Sequence, residues 1–239
     1  MHVSSFVKMK VMDEMLDLRV QRKRKTGKAM LEHLKRFSLK PRFSAGVWYF
    51  FPSGGRFHER YGPQGTIKDI LDKVRGLYDK GVVGKDFKLE AHYPNEVNAD
   101  NLDLYKGLER ETGIKLITVV PQLFYDRIFE FGSLSNPSDE VRSQAIQRTV
   151  EALRMNKELG TDFMIVWPGI DGYENPIGVD FYEMWSRFEE GLAEAMDVVP
   201  GVRVALEPKP YEPRGNNVYR NTANGILMAR NVEDLLKAD

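Results

Sequence analysis

The 239-residue sequence contains no cysteine. That absence excludes disulfides, thiolate nucleophiles and thiolate-bound metals. A metal centre would have to use carboxylate, imidazole, carbonyl or water ligands, a set that suits Mg²⁺ or Mn²⁺. Long apolar runs are also missing. No stretch approaches the ~18 consecutive apolar residues of a membrane-spanning helix. The opening MHVSSFVKMKVMDEML has no apolar h-region, so no signal peptide is expected and a cytoplasmic protein is the default. Net charge is absent as well, because 35 basic residues balance 35 acidic ones. There is thus no global electrostatic reason to expect nucleic acid or a membrane as partner.

What is present suffices for one good core or two small domains: 42% of the residues are hydrophobic and 29% charged. The charge is uneven along the chain. Between Lys8 and Arg42 there are 12 Lys/Arg against 4 Asp/Glu, densest at Arg22–Lys25. Such a run can dock on nucleic acid. Here Met12, Met15 and Leu16, then Met30, Leu31 and Leu34, fall at helical spacing, which favours a solvated helical face. Residues 1–40 read as a basic helical N-terminal extension before a main domain at 41–239.

After Pro41 a strand–helix pattern recurs. Strands are expected at 43–51, 87–93, 114–124, 162–169 and 202–208. Helices are expected at 67–81, 102–113, 137–160, 181–199 and 223–237. Several helices end on a glycine suited to a C-cap, and the long one at 137–160 has an acidic first turn. The strands read as continuous apolar runs, as in a parallel sheet covered on both faces. A (β/α)₈ barrel and a doubly wound sheet both fit this α/β alternation. The turn after the first strand, PSGG at 52–55, is not GxGxxG, which counts against a dinucleotide fold.

Both folds place ligands at the C-terminal ends of their strands. The residues expected there are Trp48, Tyr49 and Phe50, then His92 with Asn95 and Glu96, then Gln122 and Phe124, then Trp167, then Glu207 and Lys209. Aromatic walls with a few convergent polar groups are the mark of a small-molecule site. Glu96 stands near enough to orient the His92 imidazole for proton transfer, although a strand-end His is more often structural. Trp48, Phe124 and Trp167 are each individually core-type residues. Glu207 follows the apolar run VAL directly and should be nearly buried, so it needs a cation, either Lys209 or a metal. Strand alternation would point Glu207 and Lys209 the same way. Asp171, Glu174 and Glu212 read as loop acids.

With the strand ends assigned, the sequence resembles the xylose isomerase-like superfamily of TIM barrels. EPKPYEPRG at 207–215 matches that family's EPKPxEPRG segment. VWY at 47–49, LF at 123–124 and VWPG at 166–169 fall where xylose isomerases carry LWT, NLF and AWGG. FGSLSNPSDE, within 129–146, is closer to the FGSLSHPD-type segment of the L-rhamnose isomerase branch, as is the His-x-Pro-x-acid pattern from His92 to Glu96. The resemblance covers about residues 43–239 and implies a metal-dependent aldose–ketose isomerase that moves a hydride between C1 and C2 of a sugar. It implies two divalent cations, Mg, Mn or Co, with Glu207 as a metal ligand. Lys209 then binds the carbonyl oxygen, His92 the sugar's ring or end oxygen, and Trp48, Phe124, Trp167 and Glu96 line the substrate. It also implies a homo-oligomer. Only about five of eight β/α units are counted, and the family's other metal ligands lie on the later strands. The barrel is therefore expected to be incomplete and the chain a truncated form. Three alternatives stay open: a sugar epimerase, an AP endonuclease-like enzyme of the same superfamily, and a catalytically incomplete fragment that needs a partner.

Overall fold

Five apolar runs separated by amphipathic helices have one economical packing: parallel strands side by side, with each helix returning across the sheet. A computed structural model describes residues 27–39, 41–51, 62 and 65–238. The basic run at Arg22–Lys25 and the PSGG turn lie outside the described residues. The chain divides into two compact units, Met1–Pro41 and Arg42–Asp239. The first contains helix α1 (Gly27–Arg36), in which Met30, Leu31 and Leu34 keep helical spacing.

The second unit carries the alternation. Its elements are β1 (Ser44–Gly46), α2 (Ile67–Asp79), β2 (Lys88–Tyr93), α3 (Leu102–Thr112), β3 (Lys115–Pro121), α4 (Asp139–Leu159) and β4 (Met164–Val166). They are followed by β5 (Gly172–Tyr173), α5 (Phe181–Val198), β6 (Val204–Leu206), β7 (Asn216–Asn217) and α6 (Thr222–Ala238). A capping box starts α2, where the Thr66 and Asp69 side chains each accept the other's backbone N–H.

β1, β2 and β3 pair in parallel, with Gly46 opposite Glu90 and His92 opposite Val120. β4 and β6 form a second parallel pair, Val166 opposite Leu206. Side chain and backbone join the two sheets. The Ile117 carbonyl accepts from the N–H groups of Asp162 (3.1 Å) and Phe163 (3.4 Å). Thr118 Oγ1 accepts from the Ile165 N–H at 2.9 Å. The result is five parallel strands in chain order, a continuous arc of the TIM-barrel type.

The strands are shorter than their apolar runs. The run at 43–51 leaves the sheet after Gly46 and turns through a 3₁₀ segment, Val47–Phe50. The runs at 162–169 and 202–208 stop at Val166 and Leu206, short of Pro168 and Pro208, which have no N–H to donate to a ladder. The antiparallel contact between β5 and β7 ties the loop after β4 to the loop after β6. It was not expected, because two-residue strands carry no periodicity.

Two apolar clusters lie on this frame. One gathers Val47, Ile70, Val74, Leu89, Leu108 and Leu116 beneath α2 and α3. The other gathers Leu134, Leu153, Met164, Val166, Phe188 and Tyr219 beneath α4, α5 and α6. Each such side chain taken from water contributes roughly 1.5–3 kcal/mol.

A single amide fastens the longest helix to the sheet. Asn156, on α4 and 1% exposed, accepts from the Val119 N–H (2.9 Å) and Thr161 Oγ1 (2.6 Å) through Oδ1. Its Nδ2 donates to the carbonyls of Val119 and Ala152, both at 2.8 Å. Asn156→Ala would leave the Val119 amide and carbonyl without this partner in a dry interior. The expected loss is about 2–4 kcal/mol, read as a lower urea midpoint; an unchanged midpoint would remove Asn156 from this role.

Candidate active site

Parallel strands all end at the same edge, and the residues just past those ends converge in this chain. Trp48 lies in the 3₁₀ turn after β1, His92 in the last turn of β2, Phe124 three residues beyond β3, Trp167 directly after β4, and Lys209 three residues beyond β6. Trp48 and His92 have ring centroids 4.6 Å apart, and His92 and Phe124 5.7 Å apart. Phe124 and Trp167 meet edge to face at 4.7 Å, a favoured aromatic geometry. Two glycines make room for these rings. A Cβ at Gly46 would collide with the Trp48 indole, which folds back over it. At Gly169, with φ +54°, a Cβ would sit 2.9 Å from Phe124 Cβ and 3.3 Å from the Trp167 ring.

His92 and Glu96 form one tight turn. Glu96 Oε2 accepts from the His92 backbone N–H at 2.7 Å and lies 3.0 Å from its Nδ1. The Glu96 N–H donates back to the His92 carbonyl at 2.8 Å. The loop is held again by Tyr105 Oη and Asn101 Nδ2, both donating to the Glu96 carbonyl. A carboxylate only accepts, so Nδ1 is assigned the proton and Nε2 is left as the imidazole's second polar atom. The pairing expected between His92 and Glu96 is present.

Lys209 is largely enclosed, with its side chain 16% exposed. Its Nζ lies 4.6 Å above the Trp167 ring and 2.9 Å from Glu212 Oε2. Ring face and carboxylate both attract the ammonium group. Its backbone is held too: the Lys209 N–H donates to the Tyr219 carbonyl, and Asn217 Nδ2 donates to the Lys209 carbonyl.

Three expectations about acidic residues need correction. Glu207 is exposed, not nearly buried. β6 ends at Leu206 and pairs with β4, so Glu207 leaves the sheet at its edge, held through its N–H to the Val166 carbonyl at 3.0 Å. Alternation cannot be extended through Pro208 to infer a shared direction with Lys209. Glu212 is the carboxylate of the Lys209 ion pair rather than an idle loop acid, and it stands at φ +74°. Asp171 is 1% exposed and accepts from the backbone N–H and hydroxyl of both Ser133 and Ser135. Burial pushes its carboxyl above the usual aspartate range, while the four donors pull the other way. Its partners lie about 36 residues away in sequence, which is why its neighbours along the chain give no hint of them.

The loop after β3 also meets the EPRG segment, where Arg214 donates to the Glu130 carbonyl and Glu174 accepts from the Gly215 N–H at 2.9 Å. Gln122 is 3% exposed, and its Oε1 is a buried acceptor with no protein partner.

Among the described residues no group of three or more His, Asp or Glu side chains is arranged to hold a metal ion. Glu207 offers one carboxylate, whereas Mg²⁺ or Ca²⁺ takes six or more oxygen ligands. The described donor set therefore does not fit a divalent cation without further ligands.

Aromatic walls, a carboxylate-bound imidazole and an ammonium held on a ring face at parallel strand ends are the arrangement expected of a barrel-type small-molecule site. Residues 83–234 match the family model described as the xylose isomerase-like TIM barrel, and the chain belongs to that family. The xylose isomerase of Thermus thermophilus is 31% identical over 195 residues, covering 78% of this chain and 49% of that protein. The xylose isomerase of Brucella anthropi is 26% identical over 242 residues, covering 89% of this chain and 53% of its own. The chain thus spans about half the length of the curated relatives it matches. Among solved structures, D-psicose 3-epimerase from Clostridium cellulolyticum aligns with TM-score 0.55 at 20% identity, over 81% of this chain and 60% of that one. A D-tagatose 3-epimerase-like protein aligns with TM-score 0.56 at 13% identity, over 79% and 59%. These two likenesses are of fold.

The last residue of β2 links the site to α4. Tyr93 Oη donates to Glu151, which holds that carboxyl below its ordinary value of 4.5. The Tyr93 hydroxyl is pushed up to about 12, first by burial and then by the same bond. A depressed carboxyl contributes stability above its unfolded pKa and loses that contribution as pH falls through the folded value. Tyr93→Phe should therefore destabilise the protein at pH 7 and flatten its loss of stability below about pH 4.5. Urea midpoints from pH 3 to 7 test this, and parallel curves for the two proteins would refute it.

Proposed function

We propose that this chain carries one side of a metal-dependent aldose–ketose isomerase site for a small sugar. The observation behind it is the position of Lys209. An ammonium on an aromatic face, fastened by Glu212 and backed by a water-excluding wall, is suited to a carbonyl oxygen as it gains negative charge. In such an environment a fixed donor acts strongly because little solvent screens it. Trp48, Phe124 and Trp167 offer apolar faces to the C–H side of a sugar. His92, its Nδ1 proton engaged by Glu96, presents Nε2 to a hydroxyl at the sugar's ring or far end.

The proposal includes divalent cations, Mg, Mn or Co, to which Glu207 contributes one carboxylate. Such ions supply Lewis-acid polarisation when bound. The other ligands would come from outside the described donor set, so the working site needs more polypeptide than these residues, whether continuous with them or supplied as a partner piece. The relatives named as xylose isomerases and the EPKPYEPRG segment support the isomerase reading.

The epimerase reading has a specific observation in its favour, since the solved structures of like fold include sugar 3-epimerases. Isotope tracing separates the two. An isomerase of this design carries the substrate's own hydrogen between C1 and C2, so product formed in D₂O should be free of deuterium at both carbons. Deuterium there would indicate proton transfer to and from solvent and overturn the hydride reading. A second test concerns the lysine. In the protein that turns over sugar, Lys209→Ala should lower kcat by about 10³ with the fold intact; full retained activity would remove Lys209 from the reaction.

A further inference from the structure

The aromatic wall extends beyond Trp48 and Phe124. Beyond Trp48 lies Tyr49, with ring centroids 5.4 Å apart, and beyond Phe124 lies Tyr125, at 5.0 Å. Both tyrosines are open to solvent, 73% and 57% exposed. From Tyr49 through Trp48, His92 and Phe124 to Trp167 the rings follow one another at steps of 4.6 to 5.7 Å. Lys209 sits at the Trp167 end of this run and Tyr49 at the other. Tyr125 flanks it at Phe124.

That arrangement has more aromatic surface than one sugar ring can cover. A monosaccharide held with its carbonyl at Lys209 would occupy the Trp167–Phe124–His92 portion and leave both tyrosines in water. Large exposed aromatic side chains continuous with a run of less exposed rings are an unspent binding surface. Tyrosine suits a sugar: its ring face stacks on the C–H face of a pyranose, its hydroxyl stays wet, and it has few rotamers to freeze.

We infer that Tyr49 and Tyr125 form an outer subsite, and that the preferred ligand is a reducing sugar extended at the end away from its carbonyl, such as a disaccharide. This rests on the sugar-site reading above and names the substrate class of that site. The polarity of the run decides which end carries the extension. A substituent on the carbonyl carbon would lie at Lys209 and block the chemistry, whereas one at the far end follows the run outward to Tyr49, with Tyr125 flanking it at Phe124.

The test is calorimetric titration of the full chain with glucose and with the reducing disaccharides cellobiose and maltose, repeated on Tyr49→Ala and Tyr125→Ala. At least one disaccharide should bind about tenfold tighter than glucose, a gain that each alanine variant largely removes while glucose affinity and the circular dichroism spectrum stay unchanged. Disaccharides no tighter than glucose, or variants that weaken both sugars alike, would overturn the outer subsite and leave the sugar site standing. Binding of neither class would overturn the outer subsite in this chain, while the isotope test above decides the sugar-site reading separately. Sedimentation runs alongside. A dimer that Tyr49→Ala dissociates, with no disaccharide preference, would assign the tyrosines to a contact between two copies instead.

Discussion

Parallel pairing is the constraint from which the rest follows. A parallel neighbour cannot be reached by a tight turn, so the chain must cross back over the sheet between strands, and each crossing here is made by a helix. Five strands laid down in chain order then end at one edge. Side chains more than 160 residues apart in sequence, Trp48 and Lys209, are thereby gathered along one run of rings. The helices could not lie flat on the sheet without satisfying its polar groups, and Asn156 shows how this is done, with one amide serving two backbone groups of β3 and one of α4.

The loops at that edge are not loose connections. Asp171 gathers Ser133 and Ser135, Arg214 reaches the Glu130 carbonyl, and β5 pairs with β7. These bonds tie together the segments that follow β3, β4 and β6. A buried carboxylate is tolerated where four donors meet it, and the same donors hold the FGSLS segment at the site's border. Lys209 thus projects from a braced segment, as the charge-stabilising role proposed for it would require.

The alternating pattern, the choice of strand-end residues and the EPKPYEPRG segment were all readable along the chain, because helix and strand periodicities and a nine-residue motif are local. His92 and Glu96 were readable as a pair for the same reason, being four residues apart. Glu212 and Asp171 were not. Glu212 differs from any loop acid only in that a left-handed backbone at its own position turns it toward Lys209. Asp171 has partners that no local pattern reveals. The exposure of Glu207 is not legible in sequence, because the apolar residues before it suggest a strand enclosed on both sides, whereas β6 pairs with β4 and Pro208 ends it.

By itself the sequence determined the α/β class, the number of strand–helix units it contains, and the residue types available for chemistry: no thiol, a few carboxylates, one strand-end histidine and one motif lysine. These depend on composition and short-range periodicity. Only the tertiary structure decided which carboxylate meets Lys209, that Asp171 is buried, that the aromatic wall continues outward to Tyr49 and Tyr125, and that the described acids do not assemble into a metal site. Such matters depend on distances between segments far apart in the chain, and those distances are set by how the strands pack.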